Sequence, residues 1–225
     1  MQIALVPAYN EQENIQEVIS RLRKVGLKAV VIDDHSRDRT VELAKKAGAI
    51  VLRHERNKGK GESIKTGINF LLKKYPKVDN VVLVDADMQF LPDEAVRLLK
   101  PLKEGKADFV MGKRNWSKVP LRHRLGNLVW RVSFNILFGQ KMEDTNCGFV
   151  AFSRRAMEKI KDVIHGGYII ENAMLNTIVR NKMKIKQVPV TVIYKEKAKV
   201  PRGTRVVSGV LIFILKEGLK YRLGR

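Results

Sequence analysis

The chain has 225 residues, 44% of them apolar, enough for a sizeable core, and its 44 Lys and Arg against 23 Asp and Glu give a formal charge of +21. That excess goes beyond what solubility requires and points to anionic partners, whether nucleic acid, an acidic membrane surface or phosphorylated substrates. A single cysteine, Cys147, excludes an internal disulfide framework and any multi-cysteine zinc site, and suits a reducing, cytosolic environment.

The first residues carry no basic leader and no apolar stretch followed by a cleavage site, so the expectation is a protein that stays on the side where it is made. In the first half, short apolar runs alternate with amphipathic stretches, the pattern of parallel strands joined by helices. Strands are expected at 3–7, 29–33, 49–53 and 81–85, each rich in β-branched residues and closed by a polar residue or Pro. Between them, 13–24 places Ile15, Val18, Ile19 and Leu22 on one helical face, and 39–47 and 61–73 repeat the pattern. A nucleotide is the default ligand at the strand C-termini of such a half-domain.

A helix from Pro92 to about Leu102 leads into a strand at 109–112, after which the composition changes. From Phe109 to Met142 there are seven basic residues and no acidic one. The segment 121–138 reads as a helix apolar over most of its circumference, with Arg124, Asn127, Arg131 and Asn135 in one narrow polar stripe that suits an edge near a site. A strand near 147–153, a helix around 171–180 and a strand at 186–194 complete one domain over residues 1–194. Residues 195–225 read as a basic tail, with nine basic residues and two acidic ones. Its apolar run, 206–215, has ten residues against the roughly 20 a helix needs to cross a bilayer, so it is expected to lie on a surface.

The sharpest motif is Asp85-Ala86-Asp87-Met88-Gln89, where a buried strand runs into two carboxylates and an amide. Carboxylates two apart at a strand end can converge on a hard divalent cation that keeps room for substrate phosphates; the bland alternative is a strand end with solvated acids. The first strand ends in Pro7-Ala8-Tyr9-Asn10-Glu11, where Tyr9 offers a face for a base to stack on, while Asn10 and Glu11 serve equally well as helix caps. The second ends in Asp33-Asp34-His35-Ser36. One of these acids can accept from a base or ribose, and Ser36 or Asp38 can cap the next helix. Asn57-Lys58-Gly59-Lys60-Gly61 opens the third helix and offers amide donors and a Lys to a diphosphate. All four motifs lie at the same edge of successive strands. His54, His123 and His165 show no ligand spacing and read as structural.

Together these residues resemble the inverting, nucleotide-sugar-dependent glycosyltransferases of family 2, in particular the dolichyl-phosphate mannose or glucose synthase branch. The resemblance implies a GT-A fold, a Rossmann-like α/β domain with a mixed, mostly parallel sheet flanked by helices and a basic C-terminal tail. It places Pro7, Tyr9, Asn10, Glu11, Asp33, Asp34, Gly59, Lys60 and Gly61 in donor binding, with Gly67 completing the glycine-rich stretch. Asp85, Asp87 and Gln89 become the Mg²⁺ or Mn²⁺ site. Gly112-Lys113-Arg114 is similar to the branch's Gly-Ser-Arg, and Arg114 and Arg122 take the place of two arginines that grip the acceptor phosphate. Gly126 stands where the branch often has an acceptor-side Ser. Asp144 to Phe149 is similar to its Asp-x-x-Ser-Gly-Phe, with Cys147 in place of Ser, and Arg202 falls in a mobile loop over the site. His35 departs from the usual Gly, Asn or Asp. Glu171 matches an acid near the acceptor side.

The implied reaction moves a hexose from GDP-mannose or UDP-glucose to a polyprenyl or dolichyl phosphate. Its catalytic set is Asp85, Asp87, Arg114, Arg122 and Arg202. The charge then fits a peripheral enzyme on the cytoplasmic, inner face of a membrane, held by 121–138 and 206–215 at an anionic lipid surface. The nearest rival is the same fold acting on a glycan, a diphosphate lipid or a small polyol. A nucleic-acid partner is disfavoured, because the basic stretches lack interleaved aromatics and the acidic strand ends repel a phosphate backbone.

Overall fold

The apolar runs expected as strands form β1 (Gln2–Ala8), β2 (Lys28–Asp33), β3 (Ile50–Arg53), β4 (Asn80–Leu83), β5 (Phe109–Arg114), β6 (Val150–Ser153) and β7 (Ile185–Val190). The structure is a computed structural model that describes residues 2–118, 121–164, 169–193 and 203–224, without the side chains of 118, 121–123 and 203–207. Within it, one sheet has the order β3-β2-β1-β4-β6-β5-β7. β1 to β4 are mutually parallel, β6 runs antiparallel between β4 and β5, and β7 lies parallel to β5 at the edge. This is the mixed, mostly parallel sheet that the sequence implies.

The helices are α1 (Ile15–Lys24), α2 (Thr40–Lys46), α3 (Lys60–Lys74), α4 (Ala95–Lys103), α5 (Leu121–Phe138), α6 (Arg154–Ile160), α7 (Ile170–Arg180) and α8 (Gly203–Arg222). α1 buries Ile15, Val18, Ile19 and Leu22, the face its spacing dictates. α3 crosses β1 so closely that a Cβ on Gly67 would lie 2.2 Å from Leu5 Cδ1. Glycine is required there by packing, and Gly67 thereby sets the helix against the sheet rather than touching a ligand.

Chain order fixes where a ligand can enter. From β1 the chain steps outward to β2 and β3, and α3 then returns it to β4 on the other side of β1. Neighbouring loops diverge at that reversal, leaving a crevice at the C-terminal ends of β1 and β4.

Three segments differ from expectation. The strand at 81–85 leaves the ladder after Leu83; Val84 N–H still donates to Leu5 O (3.0 Å), and the next residues turn into the crevice. The strand at 186–194 ends at Val190, followed by a single bridge between Phe90 and Val192, and Tyr194 lies outside the described residues. α6 was not expected. It starts where Ser153 Oγ accepts from Ala156 N–H.

Part of the expected basic tail is α8, which buries Val210 and Ile214, sets the Tyr221 ring against Phe138 at 5.2 Å in a tilted contact and pairs Glu217 with Arg180 of α7 at 3.5 Å. Among the described residues no helix is long and apolar enough to cross a membrane. The polar stripe of α5 faces loops rather than solvent. Arg124 donates to Ser117 O (2.7 Å), Asn127 accepts from Arg114 (3.0 Å), Arg131 donates to Glu143 O (3.3 Å), and Asn135 bonds both backbone groups of Met142 at 2.9 Å. The opposite side leaves Leu125, Leu128, Val129, Val132 and Ile136 exposed, beside exposed Ile212, Leu215 and Leu219 of α8.

Candidate active site

A cleft of about 230 Å³ opens at the crevice and is lined by Pro7, Ala8, Tyr9 and Glu11 after β1, Asp34 after β2, Lys60 and Ser63 on α3, and Asp85, Ala86 and Asp87 after β4. Four sequence motifs separated by up to 80 positions thus share one wall-to-wall site, because parallel strands deliver their C-terminal ends to the same edge. Asn10, His35 and Met88 all adopt left-handed backbone with φ of 54°, 68° and 60°. This conformation is uncommon outside glycine, and its concentration at the strand ends around the cleft marks loops held by their surroundings.

The β1 and β2 loops are laced together. Asn10 N–H donates to Ser36 Oγ (2.9 Å), Arg37 N–H donates to Asn10 Oδ1 (2.8 Å), and Glu11 N–H donates to Thr40 Oγ1 (2.8 Å). Asn10 therefore ties the loops rather than capping α1. Glu11 faces the cleft and accepts from Asn14 Nδ2 (2.8 Å). Between Ser36 and Asp38, it is Asp38, one residue before the N-cap Arg39, that bonds the first amide of α2, accepting from Thr40 N–H (2.9 Å). Tyr9 stands 45% exposed at the mouth.

The adjacent acids after β2 part company, as neighbouring residues on an extended chain must. Asp33 is fully buried, accepting at one oxygen from Ser36 N–H (3.1 Å) and pairing with Arg53 Nε (3.2 Å); its other oxygen has no hydrogen-bond partner among the described residues. Asp34 is the acid that lines the cleft. Its carboxylate accepts from Lys58 N–H (2.8 Å), Gly59 N–H (2.7 Å) and His54 Nδ1 (2.7 Å), while His54 Nε2 reaches Thr66 Oγ1 (3.0 Å). Burial works to raise the Asp34 pKa, but the bonds from His54, Lys58 and Gly59 outweigh it and hold the carboxyl below its ordinary range. The glycine-loop amides expected to cradle a diphosphate are here bound to Asp34. Gly61 is buried in the first turn of α3.

At the floor, Lys60 Nζ lies 2.7 Å and 2.9 Å from the two Asp85 oxygens and 3.9 Å from Glu171 Oε1 of α7. Burial would lower the Lys60 pKa, yet Asp85 and Glu171 hold it well above the usual range, so the ammonium stays charged. Burial pushes the Glu171 carboxyl up, against the pull of Lys60. The backbone of Gly148 closes on this trio: a Cβ there would meet Asp85 Oδ2 at 3.1 Å, Glu171 Oε1 at 3.4 Å and Lys60 Nζ at 3.5 Å.

The donor set suits a hard divalent cation completed by substrate. Asp85 and Asp87 both face the cleft, and among the described residues no three carboxylate, imidazole or thiolate groups gather into a cage of their own. Two carboxylates with open positions are what Mg²⁺ or Mn²⁺ accepts when phosphates supply the remaining oxygens. Gln89 does not line the cleft. Its N–H donates to Asp87 Oδ1 (3.0 Å) and its carbonyl accepts from Ile193 N–H (2.8 Å), which shapes the turn.

At the end of β5, Arg114 forks onto buried Asp144, with Nε at 2.7 Å and Nη2 at 2.8 Å, and stacks over Trp116 at 5.2 Å. Asp144 continues into Asn146 and Gly148, so the Arg114 fork and the cleft floor share one short segment. Gly126 sits on α5. The Arg122 side chain and Arg202 lie outside the described residues. Sequence reasoning missed Asp144 as the partner of Arg114 and His54 as the partner of Asp34. The signal for Asp144 is that it heads the segment similar to Asp-x-x-Ser-Gly-Phe, which says nothing of its partner; His54 offers none beyond its place one residue past β3.

The chain matches the family model "Glycosyl transferase family 2" over residues 3–162. It is 29% identical to the UDP-N-acetylglucosamine–dolichyl-phosphate N-acetylglucosaminyltransferase of Methanococcus voltae, over 93% of this chain and 92% of that protein. It is also 29% identical to the dolichol-phosphate mannosyltransferase of Pyrococcus furiosus, over 70% of this chain and 47% of that one. Glucosyl-3-phosphoglycerate synthase from Mycobacterium tuberculosis, crystallised with Mn²⁺, uridine diphosphate and phosphoglyceric acid, superposes with a TM-score of 0.78 at 22% identity, over 97% of this chain and 78% of that one. That likeness shows the fold. With a family model spanning most of the chain, the protein belongs to glycosyl transferase family 2.

Proposed function

We propose that the cleft transfers a hexose from a nucleoside diphosphate sugar, GDP-mannose or UDP-glucose, to a polyprenyl or dolichyl phosphate, inverting the anomeric carbon. The observation that carries this reading is the meeting of Tyr9, Lys60, Asp85 and Asp87 in one cleft at the sheet's reversal point. The relatives named for lipid-phosphate acceptors support the choice of acceptor.

Tyr9 offers its ring to the base, on a loop that Ser36 and Thr40 brace from β2. Asp34 fixes the glycine loop and leaves Lys60 at the head of α3 pointing into the cleft. Asp85 and Asp87 hold Mg²⁺ or Mn²⁺, which supplies positive charge to the leaving diphosphate. The acceptor phosphate oxygen attacks the anomeric carbon as that carbon's bond to the diphosphate oxygen breaks, and the electron pair departs with the nucleoside diphosphate. The nucleophile is already an anion, so no general base is needed. Lys60 neutralises charge that develops on the leaving group. Arg114 and Arg122, with Gly126 on the same helix as Arg122, are assigned to the acceptor phosphate. Arg114 is held for this by Asp144, its side chain only 15% exposed rather than on open surface, as a sugar-hydroxyl acceptor would favour.

The exposed apolar side chains of α5 and α8, in a chain of charge +21, support a peripheral position on an anionic membrane face. Each well-placed Lys or Arg adds about 1 kcal/mol of attraction, so a high-salt wash is expected to release protein from membranes. Incubation with Mn²⁺, GDP-mannose or UDP-glucose, and a short polyprenyl phosphate tests the reaction itself. A glycosylated lipid of inverted anomeric configuration, absent with Asp87→Ala, is expected; consumption of donor only with a glycan or polyol overturns the acceptor.

A further inference from the structure

Lys60 and a metal ion held by Asp85 would draw on the same carboxylate. Lys60 Nζ sits between its two oxygens, at 2.7 Å and 2.9 Å, and Glu171 lies 3.9 Å behind it. Room beside the pair is limited, because a Cβ on Gly148 would come within 3.1 Å of Asp85 Oδ2 and 3.4 Å of Glu171 Oε1. A dication entering alone would share one carboxylate with a neighbouring ammonium and meet its repulsion at close range. A nucleoside diphosphate changes the balance: its oxygens bring negative charge within reach of both cations and let Lys60 turn part of its hydrogen bonding from Asp85 to phosphate.

Resting on the assignment of this cleft to a nucleotide-sugar donor, we infer that Lys60 is an internal competitor for the metal position, which couples metal binding to nucleotide binding. The metal binds weakly to the nucleotide-free protein and tightly once the diphosphate is present. By linkage, the metal tightens nucleotide binding by the same factor. Lys60 is a positioning residue in this role, distinct from its contact with the leaving group. It suppresses metal occupancy until donor arrives, so the loaded site assembles as a unit.

The test is a Mn²⁺ titration followed by the electron paramagnetic resonance signal of the unbound ion, with no turnover required. Wild type, Lys60→Met, Lys60→Arg and Asp85→Asn are compared without nucleotide and with GDP or UDP. Nucleotide is expected to tighten Mn²⁺ binding to wild type by about tenfold or more, roughly the scale of one ion-pair contact. Lys60→Met is expected to bind Mn²⁺ about tenfold more tightly than wild type without nucleotide and to lose most of the coupling. Lys60→Arg keeps the charge and is expected to stay weak without nucleotide, and Asp85→Asn to lose the ion in both conditions. Equal or weaker nucleotide-free Mn²⁺ binding by a folded Lys60→Met, with wild type still binding Mn²⁺ and nucleotide together, overturns the competition and leaves the donor site standing. Wild type that binds no Mn²⁺ with either nucleotide overturns the donor site itself.

Discussion

At the end of β2 and at the end of β4 the chain places a carboxylate beside a basic side chain, and the two pairs are built from different materials. Asp34 is bound by two backbone N–H groups and a buried imidazole that is itself anchored on Thr66, all fixed by the fold. Asp85 is bound by one flexible ammonium, with its side chain 22% exposed in the cleft. A carboxylate whose partners are backbone amides is architecture, because nothing that arrives can replace them without unfolding the loop. A carboxylate whose partner is a lysine at a cleft floor is exchangeable, and exchange is what metal and phosphate binding need.

Substitution at the two acids should separate these roles. Asp85→Asn is expected to lower turnover by about a hundredfold or more through loss of charge stabilisation on the leaving group, while thermal stability changes by about 1 kcal/mol or less. Asp34→Ala should do the reverse to stability, costing about 3 kcal/mol in denaturant unfolding, because it strands two amides and the His54 ring. Activity should fall with it only as far as the glycine loop loosens.

Gly67→Ala tests packing without chemistry. A methyl group 2.2 Å from Leu5 Cδ1 forces α3 off β1 and should cost about 1–3 kcal/mol, with donor binding weakened in parallel because Lys60 moves with the helix. Acid provides a finer probe of Asp34. Its folded pKa lies below the ordinary value, so its stabilisation is complete above about pH 4 and drains away as pH falls through the folded value. Wild type should therefore lose more stability than Asp34→Asn as pH falls below about 4, read by denaturant unfolding at a series of pH values. The smallest effect on the fold is expected at the apolar surface: Leu128→Ser should reduce sedimentation with anionic vesicles while shifting stability by about 0.5 kcal/mol or less.

That the four motifs would meet at one edge was legible in the sequence because each follows a β-branched run, and a parallel sheet brings such positions together whatever the details. α5 was legible to its ends, since an uninterrupted apolar stretch with a single polar stripe has one good solution. What that stripe binds was not legible: the partners of Asn127, Arg131 and Asn135 lie on loops whose approach depends on tertiary packing. Which of Asp33 and Asp34 faces the cleft was equally hidden, because adjacent residues point opposite ways and only the strand's register decides. The Arg114–Asp144 fork spans 30 positions, and a sequence reader given Arg114 alone assigns it to a ligand first. α6 is seven residues long and carries too little periodicity to stand out against the loop that follows.

Calorimetric titration of GDP and of UDP into wild type and Asp85→Asn, each with and without Mn²⁺, tests the donor cleft most directly. One nucleotide should bind wild type tightly only with Mn²⁺ and lose that dependence in Asp85→Asn. Binding of neither nucleotide, or equal binding with and without metal in both proteins, would contradict a metal-assisted donor site at the end of β4.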